Sequence, residues 1–220
     1  MKRVIFDIET GPLPREEIER IAPAFNPDNV KTGNLTLAKM VEKIALAKAR
    51  HIENIEDEAA LHAEYGEVLA IGIREGNVTD CLVGDEKKII SDFWTRSLAD
   101  YKAGGKVWVG FKSNTFDLPF LYRRSLLTGI PIPREIVPRP GQRYWPGDFW
   151  LDTFEIWKAG DYRATISLDR FCKAAGLQGK NGSGKGFARA LKEERDKAID
   201  YLENDVEITA QLADKVLRCL

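Results

Sequence analysis

Asp7 and Glu9 constrain this chain more than any other pair of residues. They stand two apart at the end of Val4-Ile5-Phe6-Asp7-Ile8, a run of β-branched and aromatic residues with the composition of a strand buried on both faces. Residues two apart on a strand project to the same face. Two carboxylates therefore point one way from the tip of a buried strand. Like charges held that close repel, and removing them from water is costly unless something neutralises them. Hard divalent cations such as Mg²⁺ bind through carboxylate oxygens and are the usual remedy. Taken alone, the pair also fits an Asp that caps the next turn and a Glu in solvent.

The 220-residue sequence is long enough for one sizeable α/β domain. Hydrophobic residues at 44% and charged residues at 30% give a globular rather than a disordered balance. A formal net charge of -1 creates no overall field toward nucleic acid or anionic membrane. It leaves room for a nucleic-acid enzyme whose site is charged by metal ions. No apolar run reaches the roughly 18 residues of a membrane span. The N-terminus runs straight into a strand, so no signal peptide is expected. Cys81, Cys172 and Cys219 are far apart and odd in number, which fits reduced thiols in a cytoplasmic protein.

Gly11-Pro12-Leu13-Pro14 is expected to break the first strand. A polar stretch at about 14–64 then reads as a helical insertion between core strands. It holds a short charged helix at 15–22, a loop marked by Pro23, Pro27, Asp28 and Gly33, and a helix from Leu35 to about Arg50. Leu37, Val41, Ile44 and Ala47 recur there at helical spacing, beside Lys39, Lys43, Lys48 and Arg50. A third helical piece is expected at 55–64. This insertion fits either a solvated helical hairpin or a lid that clamps substrate.

Val68–Ile73 and Val78–Val83, joined at Glu75-Gly76-Asn77, predict an antiparallel hairpin. Asp85–Tyr101 predicts a helix ended by Gly104-Gly105, Val107–Phe111 a strand, and Phe116–Leu127 a helix. A Pro-rich loop follows at 131–146. Its Arg134, Arg139, Arg143, Tyr144 and Trp145 suit single-strand binding or the bracing of a long loop. Phe149–Trp157 fits strand or helix, Ser167 caps a short helix to Ala175, and one long helix is expected over Glu193–Cys219. The order predicts a mixed sheet with helices on both faces.

Two further acidic positions support the first. Asp117 follows a strand where a helix begins, the place where sites collect in open α/β sheets. A first-turn Asp that favours the helix macrodipole is the simpler alternative. Tyr201 and Asp205 are four apart on the last helix and share a face that Ile208 and Leu212 continue inward. An inward Asp needs a cation or strong donors, or an Arg or Lys partner.

Phe6-Asp7-Ile8-Glu9-Thr10, then Asn114-Thr115-Phe116-Asp117-Leu118-Pro119-Phe120-Leu121, then Tyr201-x-x-x-Asp205 resemble, in order, the three exonuclease motifs of the DEDD superfamily. Tyr201 aligns the resemblance with the DEDDy branch, and it is nearest to the proofreading 3′–5′ exonuclease domain of family B DNA polymerases. Ser167-Leu168-Asp169-Arg170-Phe171, with Gly176-Leu177 and Lys180, is similar to the segment before the third motif. Similar stretches cover roughly 1–12, 64–130 and 150–215. Many relatives carry an Asn further ahead of the aromatic-Asp pair. Here Lys112 or Ser113 stands near that place, and Asn114 is two before Phe116.

The resemblance implies an RNase H-like α/β fold, a mixed sheet of antiparallel hairpin and parallel strands with helices on both faces. It implies a single exonuclease domain over 1–220, stand-alone rather than an editing module in cis. It also implies a metal-dependent 3′–5′ exonuclease acting on the 3′ end of single-stranded or frayed DNA. The same chemistry on RNA and a catalytically silent nucleic-acid-binding module are the alternatives. Asp7, Glu9, Asp117 and Asp205 would hold two divalent cations, Mg²⁺ or Mn²⁺. One lowers the pKa of the attacking water and the other stabilises the leaving 3′ oxygen. Tyr201, with an ordinary pKa near 10, would orient that water. Thr10, Lys112, Asn114, Phe116 and Phe120 would meet the terminal nucleotide, although core packing suits both phenylalanines. The implied partners are nucleic acid and a replication or repair protein, with no membrane.

Gly179-Lys180-Asn181-Gly182-Ser183-Gly184-Lys185-Gly186 comes close to a phosphate-binding loop, but Gly186 stands where a Ser or Thr would meet Mg²⁺ and no strand precedes it. A loop that meets the phosphate backbone fits better. His51 and His62 lack metal-ligand spacing.

Overall fold

The computed structural model describes residues 1–142, 144–182, 184 and 186–220. The chain separates into two compact units, Met1–Thr10 with Val68–Leu220, and Gly11–Glu67.

The larger unit is built on a five-stranded sheet in the order β3-β2-β1-β4-β5. Its strands are β1 (Lys2–Pro12), β2 (Gly66–Glu75), β3 (Val78–Val83), β4 (Lys106–Gly110) and β5 (Trp150–Asp152). β2 and β3 pair antiparallel, as the turn at Gly76 predicts, and β1–β4 and β4–β5 pair parallel. The expected mixed α/β sheet is what forms.

Alternation along the strands sends the two faces to different helices. Phe6, Trp108 and Trp150 turn toward Phe93 on α4 (Glu86–Ala103), with ring centroids 5.3–6.0 Å from it. Ile5, Val107 and Val109 turn the other way, onto Val206 and Ala213. Those two lie on the last helix, which spans Arg195–Val216. That helix crosses β2 so closely that a Cβ on Gly72 would come within 3.0 Å of Leu202 and Val206. Residues 5, 7 and 9 share the face that meets the last helix, and this fixes where the acidic pair points.

β1 does not end at Ile8. It continues through Thr10 and Gly11 to Pro12, so Asp7 and Glu9 lie within the strand rather than at its tip. Beside it Gly66 has no side chain, and a Cβ there would lie 3.0 Å from the Gly11 carbonyl. Pro12 is the terminal residue, where a missing N–H does least harm.

The smaller unit contains α1 (Arg15–Ile21), α2 (Leu37–Ala49) and α3 (His51–Glu58), with 3₁₀ turns at Pro27–Asn29 and Ala59–Leu61. Ile18, Ala59 and Ala63 form its buried centre, and Arg15 joins Glu19 at 2.9 Å and Glu56 at 2.8 Å. The third helix starts earlier than 55 because Arg50 closes α2 and α3 follows at once.

Beyond β4, the larger unit carries α5 (Asp117–Thr128), α6 (Thr153–Lys158), α7 (Leu168–Ala174), α8 (Phe187–Glu193) and α9, the last helix already described. Residues 149–157 are strand and then helix, split where Asp152 caps α6. α8 is separate from α9 because Glu194 leaves helical geometry at φ -142°. In the loop before β5, Trp145 lies 6.3 Å from Trp150, whose Nε1 donates to the Ile136 carbonyl at 2.6 Å. Trp145 braces the loop, while Tyr144, Arg134 and Arg139 are exposed; Arg143 lies outside the described residues. Among the described residues no helix is long and apolar enough to cross a membrane.

Candidate active site

Strand alternation and helix periodicity converge on one cluster. One carboxylate oxygen each from Asp7, Glu9 and Asp205 lie within 4.8 Å of one another. Asp205 is fully buried, and its Oδ1 has no hydrogen-bond partner among the described residues. Asp117 opens α5, 4% exposed, and its Oδ1 accepts the Ile8 N–H at 3.2 Å. Ile8 sits between the two β1 acids, so this bond ties Asp117 to their strand.

The electrostatics follow from crowding. Burial, then the charges of Asp117, Glu9 and Asp205, holds Asp7 well above the usual carboxylate range. Burial and the Asp205 charge push Glu9 up to about 8. Burial pushes Asp117 up to about 7, against backbone N–H bonds that favour its anion. Burial also raises Asp205, against the attraction of Lys180.

Lys180 is the cation that sequence reasoning did not assign to the site. Its Nζ is 2.5 Å from Asp205 Oδ2 and donates to the Tyr201 hydroxyl at 2.9 Å. Its backbone N–H is held by Asp169 Oδ1 at 3.1 Å, on α7. Burial alone would lower the Lys180 pKa, but the Asp205 carboxylate, with the Tyr201 bond and the Asp7 charge, more than offsets it and the pKa is raised. The basic partner expected as an alternative for Asp205 is therefore present. The available signal was the stretch leading from Ser167 to Lys180. Burial raises the Tyr201 phenol above its ordinary value, with the Lys180 bond opposing. Gly182 and Gly184 lie against this group: a Cβ at Gly184 would stand 3.4 Å from Glu9 Oε2 and 3.7 Å from the Tyr201 hydroxyl. The phosphate-loop likeness gains no support, since α7 rather than a strand precedes it; Ser183 and Lys185, the lysine of that pattern, lie outside the described residues.

The expected nucleotide contacts divide. Phe120 is 2% exposed with its ring 5.6 Å from Phe116, so it belongs to the core and offers no face to a base. Phe116, Thr10, Lys112 and Asn114 are half-buried. Lys112 places its Nζ 4.9 Å from the Phe154 ring centre, and Asn114 Oδ1 is buried without a partner among the described residues.

A family described as a predicted 3′–5′ exonuclease related to the exonuclease domain of PolB matches residues 77–212. The chain belongs to this family. The matched span carries Asp117, Tyr201 and Asp205 and begins after Asp7 and Glu9. No curated protein matches the chain. Among solved structures, the family B DNA polymerase from the hyperthermophilic archaeon Pyrobaculum calidifontis aligns with a TM-score of 0.60 at 18% identity. The alignment covers 99% of this chain and 24% of the polymerase, so the chain spans about a quarter of that protein. At this identity the likeness is one of fold.

The residues present in this cluster suit hard cations. Asp7, Glu9, Asp117 and Asp205 bring four acids together, and Lys180 is the one basic side chain shown paired to them among the described residues. All four donors are carboxylate oxygens, the ligand type of Mg²⁺ and Mn²⁺, and the orphaned Asp205 Oδ1 is a ready ligand atom.

Proposed function

We propose that the chain is a metal-dependent 3′–5′ exonuclease that removes nucleotides from the 3′ end of single-stranded or frayed DNA. We read it as one exonuclease domain over 1–220 that carries the helical unit as an insertion. The observation that carries this reading is the convergence of half-buried Asp7 with buried Glu9 and Asp205, with Asp117 alongside. These four would hold two divalent cations, Mg²⁺ or Mn²⁺. Such ions supply a lowered pKa for bound water and neutralise charge on the phosphoryl group. Digestion of end-labelled strands tests the reading.

The chain's own groups have separable tasks. The Tyr201 oxygen accepts from Lys180, and its O–H is within hydrogen-bonding reach of Asp205, so it would have to turn from that carboxylate to donate to a water. With the phenol pKa raised, that proton stays on at neutral pH, so Tyr201 orients rather than deprotonates. Tyr201→Phe keeps the ring and the helix and removes only this hydroxyl. Single-turnover cleavage at saturating enzyme should fall by about 10²-fold, the lower range for a positioned proton-handling group, with nucleic-acid binding unchanged. A rate near wild type would remove Tyr201 from the mechanism.

The insertion is net acidic overall, but residues 31–50 carry Lys31, Lys39, Lys43, Lys48 and Arg50 against Glu42 alone. Lys39, Lys43 and Lys48 are exposed on α2. We infer that they neutralise backbone phosphates. Replacing all three with Gln should weaken single-strand binding and reduce the slope of log K against log salt by about 2, since each phosphate contact on a single strand contributes about 0.7. Unchanged binding across a salt series would make α2 a solvated face.

A further inference from the structure

Asp152 is a further acid, at the end of β5, and it is not among the cation ligands. It ends β5 opposite Gly110 of β4 and is 3% exposed. Both oxygens are occupied. Oδ1 accepts from Lys112 N at 2.8 Å and Phe154 N at 2.9 Å, and Oδ2 accepts from Asn114 N at 3.0 Å. The Phe154 bond caps α6, a task that a Ser or Asn performs equally well.

The other two bonds hold a turn that is difficult to form. Lys112 has φ 60°, a left-handed conformation unusual for a residue with a Cβ. The chain doubles back so tightly that a Cβ on Gly110 would lie 2.5 Å from Ser113 Cβ. The carbonyls of this turn then start α5. Lys112 O accepts from Thr115 N and Phe116 N, both at 3.0 Å, and Ser113 O accepts from Leu118 N at 2.9 Å. Asp117 lies between those anchors and reaches the Ile8 N–H beside Asp7 and Glu9.

We propose that Asp152 is a positioning residue for the nuclease site: its carboxylate fixes the 112–114 turn and so sets where Asp117 stands among the cation-binding acids. The inference rests on the metal-dependent nuclease reading. It assigns Asp152 no contact with substrate or ion.

Mn²⁺ titration by calorimetry on the full chain, without nucleic acid, tests it. Asp152→Asn places an amide against an N–H that needs an acceptor. Asp152→Ser keeps a cap for Phe154 N and leaves Lys112 N and Asn114 N bare. Both variants should bind Mn²⁺ about 10–100-fold more weakly, the range for losing a group that orients a metal ligand. Raised Mn²⁺ should rescue their cleavage of single-stranded DNA, and should not rescue Asp117→Asn. Wild-type Mn²⁺ affinity in both variants overturns the proposal. So does loss of the native circular dichroism spectrum in both, which would make Asp152 a residue of the fold alone. Absence of cleavage by the wild-type chain would instead count against the nuclease reading, and the calorimetry would still decide the role of Asp152.

Discussion

Asp7→Ala should abolish cleavage while leaving the fold intact. The loss should exceed the roughly 10²–10³-fold typical of removing one preorganised electrostatic donor, because Asp7 lies in the cluster with Glu9 and Asp205 and adjoins Asp117. The melting temperature of the metal-free variant should be unchanged or higher at pH 7–8, since one of several mutually repelling charges is gone. Asp205→Ala should be equally inactive but should gain less stability, because it leaves the Lys180 ammonium without its 2.5 Å partner. Single-turnover cleavage and thermal melts measure both. An Asp7→Ala protein that cleaves at near wild-type rate would mean that these carboxylates are not the site.

Divalent cations should have the largest effect on stability, and the effect should depend on pH. The acids of the site have raised pKa values, so the folded chain binds protons that the unfolded chain releases. Their contribution to stability is full below the ordinary carboxylate range and is lost as pH rises, for Glu9 between 4.5 and about 8 and for Asp117 between 3.8 and about 7. The metal-free chain should therefore melt at lower temperature at pH 8 than these groups would allow at pH 5. Mn²⁺ at about 100 times its dissociation constant adds about 2.7 kcal/mol, or about 5–10 °C for a chain of this size. That shift should appear at pH 8 and shrink at pH 5, where protons compete for the same oxygens. A shift equal at both pH values would show that the cation binds elsewhere.

The elements of the site legible in the sequence were those set by local periodicity. Asp7 and Glu9 share a face because a strand repeats every two residues, and Tyr201 and Asp205 share one because a helix brings i and i+4 together. The hairpin was legible from Gly76, and the Gly104 stop of α4 from its residue type. What stayed hidden depends on partners distant in sequence. Gly11-Pro12 reads as a breaker, yet the strand continues through it, close beside Gly66. Lys180 lies in a glycine-rich loop, and nothing local says that its ammonium reaches Asp205 and Tyr201. Asp152 looks like an ordinary helix cap until β5 is placed beside β4. Phe120, beside the second motif, is drawn into the core by helix periodicity rather than held out for a base.

The central claim is tested most directly by following a 5′-labelled single-stranded DNA oligonucleotide with Mg²⁺, with Mn²⁺ and with excess EDTA, beside an RNA strand of the same sequence. The account predicts a ladder that shortens one nucleotide at a time from the 3′ end with either ion and intact DNA in EDTA. Undiminished cleavage in EDTA, or internal cuts in place of a ladder, would contradict it.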